Sequence, residues 1–179
     1  MSGEVNTPCP LSTAIVVGNP KPQSRTFEAA NQTRRPTTHR PRPGHQHRPR
    51  RLRCGALDWS SASVADSIAS IEGTDLVVFA SPTYKASYTG LLKLYLDRIR
   101  GGALARVTAI PMMLGADWRH SLAPEVFLKP VLAELGASCP TRGLFLLDAD
   151  VTDSTTLQNW LQVARLQLAV TPYGPSALV

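Results

Sequence analysis

Two loops in this sequence combine residue types that bind phosphate groups and planar rings. The first, Gly18–Thr26, reads GNPKPQSRT and follows a short β-branched run, Thr13–Val17. Gly18 allows an unusual backbone angle, and Ser24 can cap the helix that follows. The loop hydroxyls, the guanidinium of Arg25 and the N–H groups of a helix N-terminus together can hold a phosphate. Because the loop matches neither GxxxxGK[ST] nor GxGxxG, it is not a common nucleotide-binding fingerprint.

The second loop opens the segment Ser81–Arg98, SPTYKASYTGLLKLYLDR, directly after the apolar run Asp75–Ala80. That run is typical of a buried parallel strand, and ligands bind at the carboxyl ends of strands in open α/β sheets. Tyr84 is therefore well placed to contact a planar ring. A third polar loop, Gly115–Ser121, follows another apolar run, Val107–Leu114. Three such loops are more specific than any one of them.

The elements that must position these loops alternate along the chain. Apolar runs predict strands near 13–18, 75–80, 107–114 and 143–147. Amphipathic spacing and capping residues predict helices near 25–33, 62–72, 88–100, 121–136 and 154–169, with Gly136 ending the fourth. This alternation is typical of an α/β doubly wound parallel sheet.

Composition limits the class of protein. A chain of 179 residues that is 43% hydrophobic suits one globular domain, which we expect to span 12–170. We find no apolar run of membrane-span length and no signal peptide in MSGEVNTPCP. The cysteines, Cys9, Cys54 and Cys139, form no CxxC motif and are interpreted as free thiols of a cytoplasmic protein.

The motifs resemble the NADPH-dependent FMN reductase family, and within it the flavin reductases that supply reduced FMN to sulfonate monooxygenases. The first loop is similar to the family pattern GSP-x-x-x-SR-[ST], and the second to P-x-YK-x-SY-[ST]G-x-LK-x-x-LD. The second match runs through Pro82, Tyr84, Lys85, Ser87, Tyr88, Gly90, Lys93 and Asp97. The likeness covers most of the chain from Ser12 to Ala169. One departure follows the fourth strand, where the family has adjacent glycines and this chain has Gly115 and Ala116.

The resemblance implies a flavodoxin-like fold with sheet order 2-1-3-4-5, and FMN and NADPH or NADH as cofactors. The cofactor-binding residues that it implies are Gly18, Pro20, Ser24, Arg25, Thr26, Ser81, Pro82, Thr83, Tyr84, Lys85 and Gly115. It implies no catalytic acid or base, because hydride passes directly from the nicotinamide to the ring. His120 is therefore interpreted as a surface or supporting residue. No metal site is expected.

The implied activity is NAD(P)H-dependent reduction of FMN, with reduced flavin passing to a monooxygenase or reducing a small acceptor. The chain is expected to form a homodimer or homotetramer in the cytoplasm and to bind neither a membrane nor a specific nucleic acid. Two alternatives stay open. The protein could bind flavin but be catalytically impaired, or it could bind nucleic acid through a basic segment described next.

The segment Arg34–Arg53, RRPTTHRPRPGHQHRPRRLR, contains eight arginines and no acidic residue. Without them, 11 of the 19 Lys and Arg residues remain against 13 Asp and Glu residues, so the basic charge of the chain is local. The segment has no aromatic residues for base stacking, and its prolines exclude a basic helix. We call it the basic tract.

The basic tract lies where a flavodoxin-like domain has its second strand, and no strand-like apolar run occurs between Phe27 and Ala56. We therefore expect the second strand to be missing or disrupted and the tract to be disordered. Three origins remain open: a local frameshift restored near Cys54, a natural insertion, or a functional basic arm. A frameshift would explain the composition, because Ala- and Asp-rich codons of a GC-rich gene give Arg and Pro out of frame, and it is weighed equally with a natural insertion, with the basic arm third.

Overall fold

The computed structural model of the chain describes residues 12–34, 50–51, 58–151 and 155–169. The strands are β1 (Thr13–Val17), β2 (Arg50–Arg51), β3 (Leu76–Pro82), β4 (Thr108–Gly115) and β5 (Leu144–Leu147). The α-helices are α1 (Arg25–Arg34), α2 (Ala62–Glu72), α3 (Gly90–Leu96), α4 (Lys129–Glu134) and α5 (Thr155–Ala169). The sequence places most of these elements within two residues of their observed bounds.

The strands form one parallel sheet in the order β2-β1-β3-β4-β5, which confirms the predicted doubly wound, flavodoxin-like arrangement. Every residue of β1, β3 and β4 is buried, as expected for a sheet that has helices on both faces. The register pairs Val16 with Phe79 and Met112 with Leu144. The reversal of strand order on either side of β1 and β3 creates the crevice in which such sheets bind ligands.

The second strand is present but consists of two residues inside the basic tract. Arg50 and Arg51 pair with Val16 and Val17 at the end of β1. Arg34 is the last residue of α1. The sequence prediction of a disrupted second strand is therefore confirmed. The rest of the prediction for the basic tract falls on residues 35–49 and 52–53, outside the described part of the chain.

Two apolar clusters hold the helices against the sheet. On one face, Val77 and Phe79 of β3 pack with side chains of α2, α3 and α4, including Leu92. On the other face, Val78 and Ala80 pack with α1 and α5. The alternation of side chains along β3 thus serves both layers. No helix in the described ranges is both long and apolar enough to cross a bilayer.

The helix predicted at 121–136 is not α-helical throughout. A π-helical turn, Pro124–Leu128, precedes α4, and the chain then turns at Gly136, whose φ of +92° is the left-handed ending expected of a glycine there. Pro130 has no N–H to offer the carbonyl of Val126, so a regular α-helical ladder cannot pass this point. The spacing of apolar residues in the sequence did not predict this π-helical turn.

Glu125 ties this turn to the start of β5. Its carboxylate accepts hydrogen bonds from Nζ of Lys129 at 2.6 Å and from the N–H of Gly143 at 2.6 Å. Burial raises the pKa of Glu125, but the hydrogen bonds from Lys129 and Gly143 and the positive charges of Lys129 and Arg142 together lower it by more, so the pKa lies below its ordinary value. The carboxylate form therefore fixes the strand that borders β4.

We predict that Glu125→Gln destabilises the fold by about 1 kcal/mol, the usual size for a partly exposed hydrogen bond. The amide must present an NH₂ group to one of two donors. Because the folded pKa is depressed, this stabilisation is fully present above the unfolded value of about 4.3 and is lost as pH falls through the folded pKa. Urea unfolding at neutral and acidic pH measures it. Glu134→Gln, an exposed change on α4, is the control, and an equal effect of both variants at neutral pH would contradict the assignment.

Candidate functional site

The three loops that the sequence singles out lie at one edge of the sheet, after the carboxyl ends of β1, β3 and β4. Two backbone hydrogen bonds connect them. The N–H of Gly18 donates to the carbonyl of Ala80 at 2.8 Å, and the N–H of Thr83 donates to the carbonyl of Leu114 at 2.6 Å. Thus Gly18 lies beside the end of β3, and Thr83 lies beside the end of β4. The predicted site residues of all three loops therefore share one edge.

Glycine is required at position 18 because of close packing and not because of its backbone angle. Its φ is not in the left-handed region, so the expectation of an unusual backbone angle is wrong. A Cβ at this position would lie 2.5 Å from Cβ of Leu92 on α3. That distance is shorter than any real contact between carbon atoms, so only glycine lets β1 end this close to α3.

The loop after β1 turns into α1 through local hydrogen bonds. The side chain of Asn19 accepts from the N–H of Lys21 at 2.9 Å and donates to Oγ1 of Thr26 at 3.1 Å. Ser24 caps α1, since its Oγ accepts from the N–H of Phe27 at 3.3 Å. This confirms the predicted cap. Asn19 is a structural residue of this loop that was not among the predicted site residues, although it stands in the matched motif.

Arg25 and Thr26, the first residues of α1, present different groups. The Arg25 side chain is exposed, and Pro20 is exposed in the loop before it. Thr26 is only 1% exposed, and its oxygen already accepts the bond from Asn19, which leaves its hydroxyl hydrogen to donate. The first N–H groups of a helix have no intrahelical partners and carry partial positive charge. The loop can therefore hold an anion at the start of α1.

The loop after β3 places two neighbouring hydroxyl groups, those of Ser81 and Thr83, in different environments. The hydroxyl of Ser81, fully buried, donates to the carbonyl of Pro82 and accepts from the N–H of Thr89, both at 2.9 Å. Ser81 therefore shapes the loop and has no hydroxyl hydrogen left for a ligand. Oγ1 of Thr83, in contrast, is buried and has no hydrogen-bond partner among the described residues. Such an orphaned hydroxyl at a strand end is suited to a ligand.

Tyr84 and Ser87 close a two-residue hairpin whose backbone is strained. The N–H of Tyr84 donates to the carbonyl of Ser87 at 2.8 Å, and the reverse bond is 3.2 Å. The central residues, Lys85 and Ala86, have φ values of +51° and +68°. This is the pattern of a type I′ turn, which glycine and asparagine usually form. The turn presents the Tyr84 ring, which is 49% exposed, and the N–H groups of Lys85 and Ala86 take no part in the bridge.

Gly115 ends β4 against an aromatic wall. A Cβ there would lie 2.8 Å from Cζ of Phe145 and 3.3 Å from Oγ1 of Thr83. The Phe145 ring in turn contacts that of Trp118, with ring centroids 5.7 Å apart. Phe145 was not among the predicted residues, because its place at the site follows only from the pairing of β5 with β4.

The loop after β4 is held by its own charges. Oδ1 of Asp117 accepts from the N–H of Arg119 at 2.8 Å, and Oδ2 pairs with the Arg119 guanidinium at 2.9 Å. These hydrogen bonds lower the pKa of Asp117. The turn leaves Trp118 46% exposed beside the site, while His120 follows it on the same turn. In the described ranges, no group of three or more His, Cys, Asp or Glu side chains could hold a metal ion.

A groove of about 390 Å³ lies elsewhere, between α3 and α4. It is lined mainly by apolar side chains and by Lys93 and Asp97, which form an ion pair. It includes none of the predicted site residues. We therefore place the candidate site at the edge of the sheet, where the orphaned hydroxyl, the aromatic rings and the helix N-terminus occur together, and not at this groove.

Comparison with known proteins gives a consistent result. Residues 12–152 match the family model described as NADPH-dependent FMN reductase. An FMN reductase (NADPH) of Escherichia coli K12 is 37% identical over 83 residues, which are 46% of this chain and 44% of that protein. An NADH-dependent FMN reductase, SfnF, of Pseudomonas fluorescens Pf0-1 is 31% identical over 114 residues, 64% of this chain and 60% of that one. The chain thus spans about half the length of the curated relatives that it matches.

Solved structures extend the likeness over nearly the whole chain. An NADH:FMN oxidoreductase in its apo form is 26% identical, with a TM-score of 0.72 over 92% of this chain and 93% of its own. An oxidised flavodoxin of Bacillus cereus is 15% identical, with a TM-score of 0.58 over 89% of this chain and 99% of its own. The second likeness shows the fold alone.

We predict that Ala86→Gly stabilises the fold by roughly 0.5–1 kcal/mol, because it removes the cost of a left-handed alanine but adds the backbone freedom of glycine. The control is Ala65→Gly in the interior of α2, where the same change should destabilise by about 1 kcal/mol. Urea unfolding of both variants measures the change in the free energy of unfolding, which should be opposite in sign for the two. Destabilisation by Ala86→Gly would mean that residue 86 does not adopt positive φ in solution.

Proposed function

Because the chain belongs to the NADPH-dependent FMN reductase family, we propose that it reduces FMN with NADPH or NADH at the edge of the sheet where the three loops meet. The observation that carries this proposal is that the start of α1, with the exposed Arg25, and the aromatic side chains of Tyr84, Trp118 and Phe145 occur at that one edge. The transfer of a hydride from the nicotinamide to the FMN ring is chemistry that the two cofactors supply. The contribution of the protein is to bind and orient them.

In this proposal the phosphate of FMN binds to the loop after β1. The predicted residues Gly18, Pro20, Ser24, Arg25 and Thr26 form this phosphate position. Gly18 contributes by shaping the loop, since its N–H and carbonyl are already hydrogen-bonded within the protein. The exposed guanidinium of Arg25 can make a bidentate pair with a phosphate, and the hydroxyl hydrogen of Thr26 can donate to it. Arg25 and Thr26 are the first residues of α1, so their backbone N–H groups can also donate to the anion.

The ring of FMN would lie at the loop after β3. Ser81 and Pro82 shape this loop, and Thr83 supplies the orphaned hydroxyl. Tyr84 offers a half-exposed aromatic face, and Lys85 offers an N–H group turned away from the hairpin bridge and a positive charge.

Gly115 lies next to this ring position, and its missing side chain admits the Phe145 ring, which forms a border with Trp118. We propose that the exposed indole of Trp118 borders the nicotinamide. No side chain is assigned as a catalytic acid or base, since hydride transfer needs none. The choice between NADPH and NADH is open in this proposal, because the matched relatives carry both in their names.

Assembly and partners are further parts of the proposal. We propose one domain over 12–170 that associates as a homodimer or homotetramer, supported by exposed apolar side chains at Leu122, Val126 and Phe127. Sedimentation velocity tests this, and a monomer at micromolar concentration would refute it. A cytoplasmic location, and delivery of reduced flavin to a monooxygenase, are inferred from the family resemblance. Copurification with a flavin-dependent monooxygenase from the same cells would test the partner.

A flavin-binding but catalytically impaired protein is the second candidate, favoured by the reduction of β2 to two residues. The two candidates differ in one assay, in which purified protein is mixed with FMN and either nicotinamide under anaerobic conditions. Oxidation of NADPH or NADH at a rate proportional to protein supports the reductase. Flavin binding without oxidation supports the impaired protein, and no flavin binding rejects both.

We predict that Arg25→Ala raises the dissociation constant of FMN by about 10- to 150-fold, the equivalent of roughly 1.5–3 kcal/mol for a hydrogen bond to a charged group. Riboflavin, which has no phosphate, should bind Arg25→Ala and the unaltered protein almost equally. Quenching of flavin fluorescence measures both constants.

The matched control is Arg106→Ala, which removes an exposed arginine at the opposite edge of the sheet, next to the start of β4. It should leave both affinities unchanged. An equal loss of riboflavin affinity in Arg25→Ala would show that Arg25 acts through the fold and not through the phosphate.

We predict that Tyr84→Ala weakens the binding of FMN and riboflavin alike, by roughly 1–3 kcal/mol, by analogy with the stacking of bases on aromatic side chains. NAD(P)H oxidation at limiting FMN should fall and be partly restored by excess flavin. Tyr84→Phe keeps the ring and should bind normally. Unchanged affinity and turnover in Tyr84→Ala would remove this loop from the proposed ring site.

A further inference from the structure

We infer that Thr89 is a positioning residue that fixes the loop after β1 relative to the loop after β3, and so sets the distance between the phosphate and ring ends of the site. This inference rests on the proposed function where it concerns flavin. The link between the two loops can be tested without flavin.

Three hydrogen bonds converge on the hydroxyl and the N–H of Thr89. Its hydroxyl donates to the carbonyl of Gly18, 71 residues earlier, at 2.6 Å. The same oxygen accepts from the N–H of Leu92 at 3.2 Å and so caps α3. The N–H of Thr89 donates to Oγ of Ser81 at 2.9 Å. Thr89 is 4% exposed, so solvent cannot readily replace these bonds.

Gly18 is held on all sides by this arrangement. Its carbonyl accepts from Thr89, its N–H donates to Ala80 at 2.8 Å, and its α-carbon lies against Leu92. The residue from which the loop after β1 departs is thereby tied both to the end of β3 and to the first turn of α3. Displacement of Gly18 would move the start of α1 relative to the hairpin that carries Tyr84.

Threonine suits this position because one hydroxyl both donates and accepts, while its β-branch restricts the rotamer. Valine has nearly the same shape but would leave the Gly18 carbonyl and the Leu92 N–H without this partner. Serine would keep both bonds. The pair of variants therefore separates the hydroxyl from the packing of the side chain.

Replacing a residue that sets the distance between two subsites should change the affinities of different ligands by different amounts. FMN would engage both subsites, whereas riboflavin engages only the ring end. Thr89→Val should therefore reduce the advantage of FMN over riboflavin, although Thr89 is not proposed to touch the phosphate. A loss of stability alone would weaken the two ligands equally.

The experiment compares Thr89→Val and Thr89→Ser with Thr74→Val in the full chain. Thr74 is 3% exposed, and its hydroxyl donates to the carbonyl of Ser70 at 2.8 Å, next to the opposite end of β3. The control thus removes a buried hydroxyl of the same kind, far from the candidate site. Dissociation constants for FMN and riboflavin are measured, together with amide hydrogen exchange at Gly18 and Asn19 in flavin-free protein.

For Thr89→Val we expect the dissociation constant of FMN to rise about tenfold, that of riboflavin by less than about twofold, and exchange at residue 18 to become about tenfold faster, as suits one lost hydrogen bond. Thr89→Ser should match the unaltered protein in all three. Thr74→Val should lower only the melting temperature. If Thr89→Val does not fold, Thr89→Cys, a weaker donor and acceptor, should give smaller changes in the same pattern.

Three results would overturn the inference: unchanged FMN affinity in Thr89→Val, equal losses for FMN and riboflavin, or the same FMN loss in Thr74→Val. If the unaltered protein binds neither flavin, the proposed function fails. Amide hydrogen exchange then tests by itself whether Thr89 links the two loops. Faster exchange at residue 18 in Thr89→Val only would uphold the link between the loops. Unchanged exchange would refute it.

Discussion

The close approach of Gly18 to α3 is the constraint on which the arrangement of the site depends. A parallel sheet brings the ends of β1 and β3 to one edge, but it does not fix how the loops leave that edge. Contact with Leu92 and the bond from Thr89 to the Gly18 carbonyl do so. Because a side chain at position 18 would collide with Leu92, the first loop and α3 can lie this close only with glycine there.

The hairpin of the loop after β3, at the same edge, has a strained backbone. Lys85 and Ala86 hold left-handed angles that cost non-glycine residues roughly 1–2 kcal/mol each. The hairpin bonds between Tyr84 and Ser87, together with the buried Ser81 beneath them, maintain this turn. Strained backbone of this kind concentrates at binding sites, because there the geometry of presented groups matters more than local stability.

The basic tract affects the sheet at the strand least important to this edge. The two residues of β2 pair only with Val16 and Val17, at the end of β1. The loops that form the candidate site follow β1, β3 and β4, and β1 pairs along its full length with β3. The family model accordingly spans residues 12–152 across the tract. An α/β sheet can therefore shorten an outer strand and still bring these loops together.

The sequence by itself determined four of the five strands, most helices, the cap at Ser24 and the turn at Gly136, because periodicity, capping and glycine preference are local properties. The motifs added the sheet order and the loops of the candidate site. Only the tertiary structure decided the link from Thr89 to Gly18, the place of Phe145 beside Gly115 and the occupied hydroxyl of Ser81. The first two features join residues that are distant in the chain. The third depends on which of several possible hydrogen bonds the Ser81 hydroxyl makes. All three depend on how closely the packed helices, strands and loops approach one another. The spacing of residues along the chain does not contain that information.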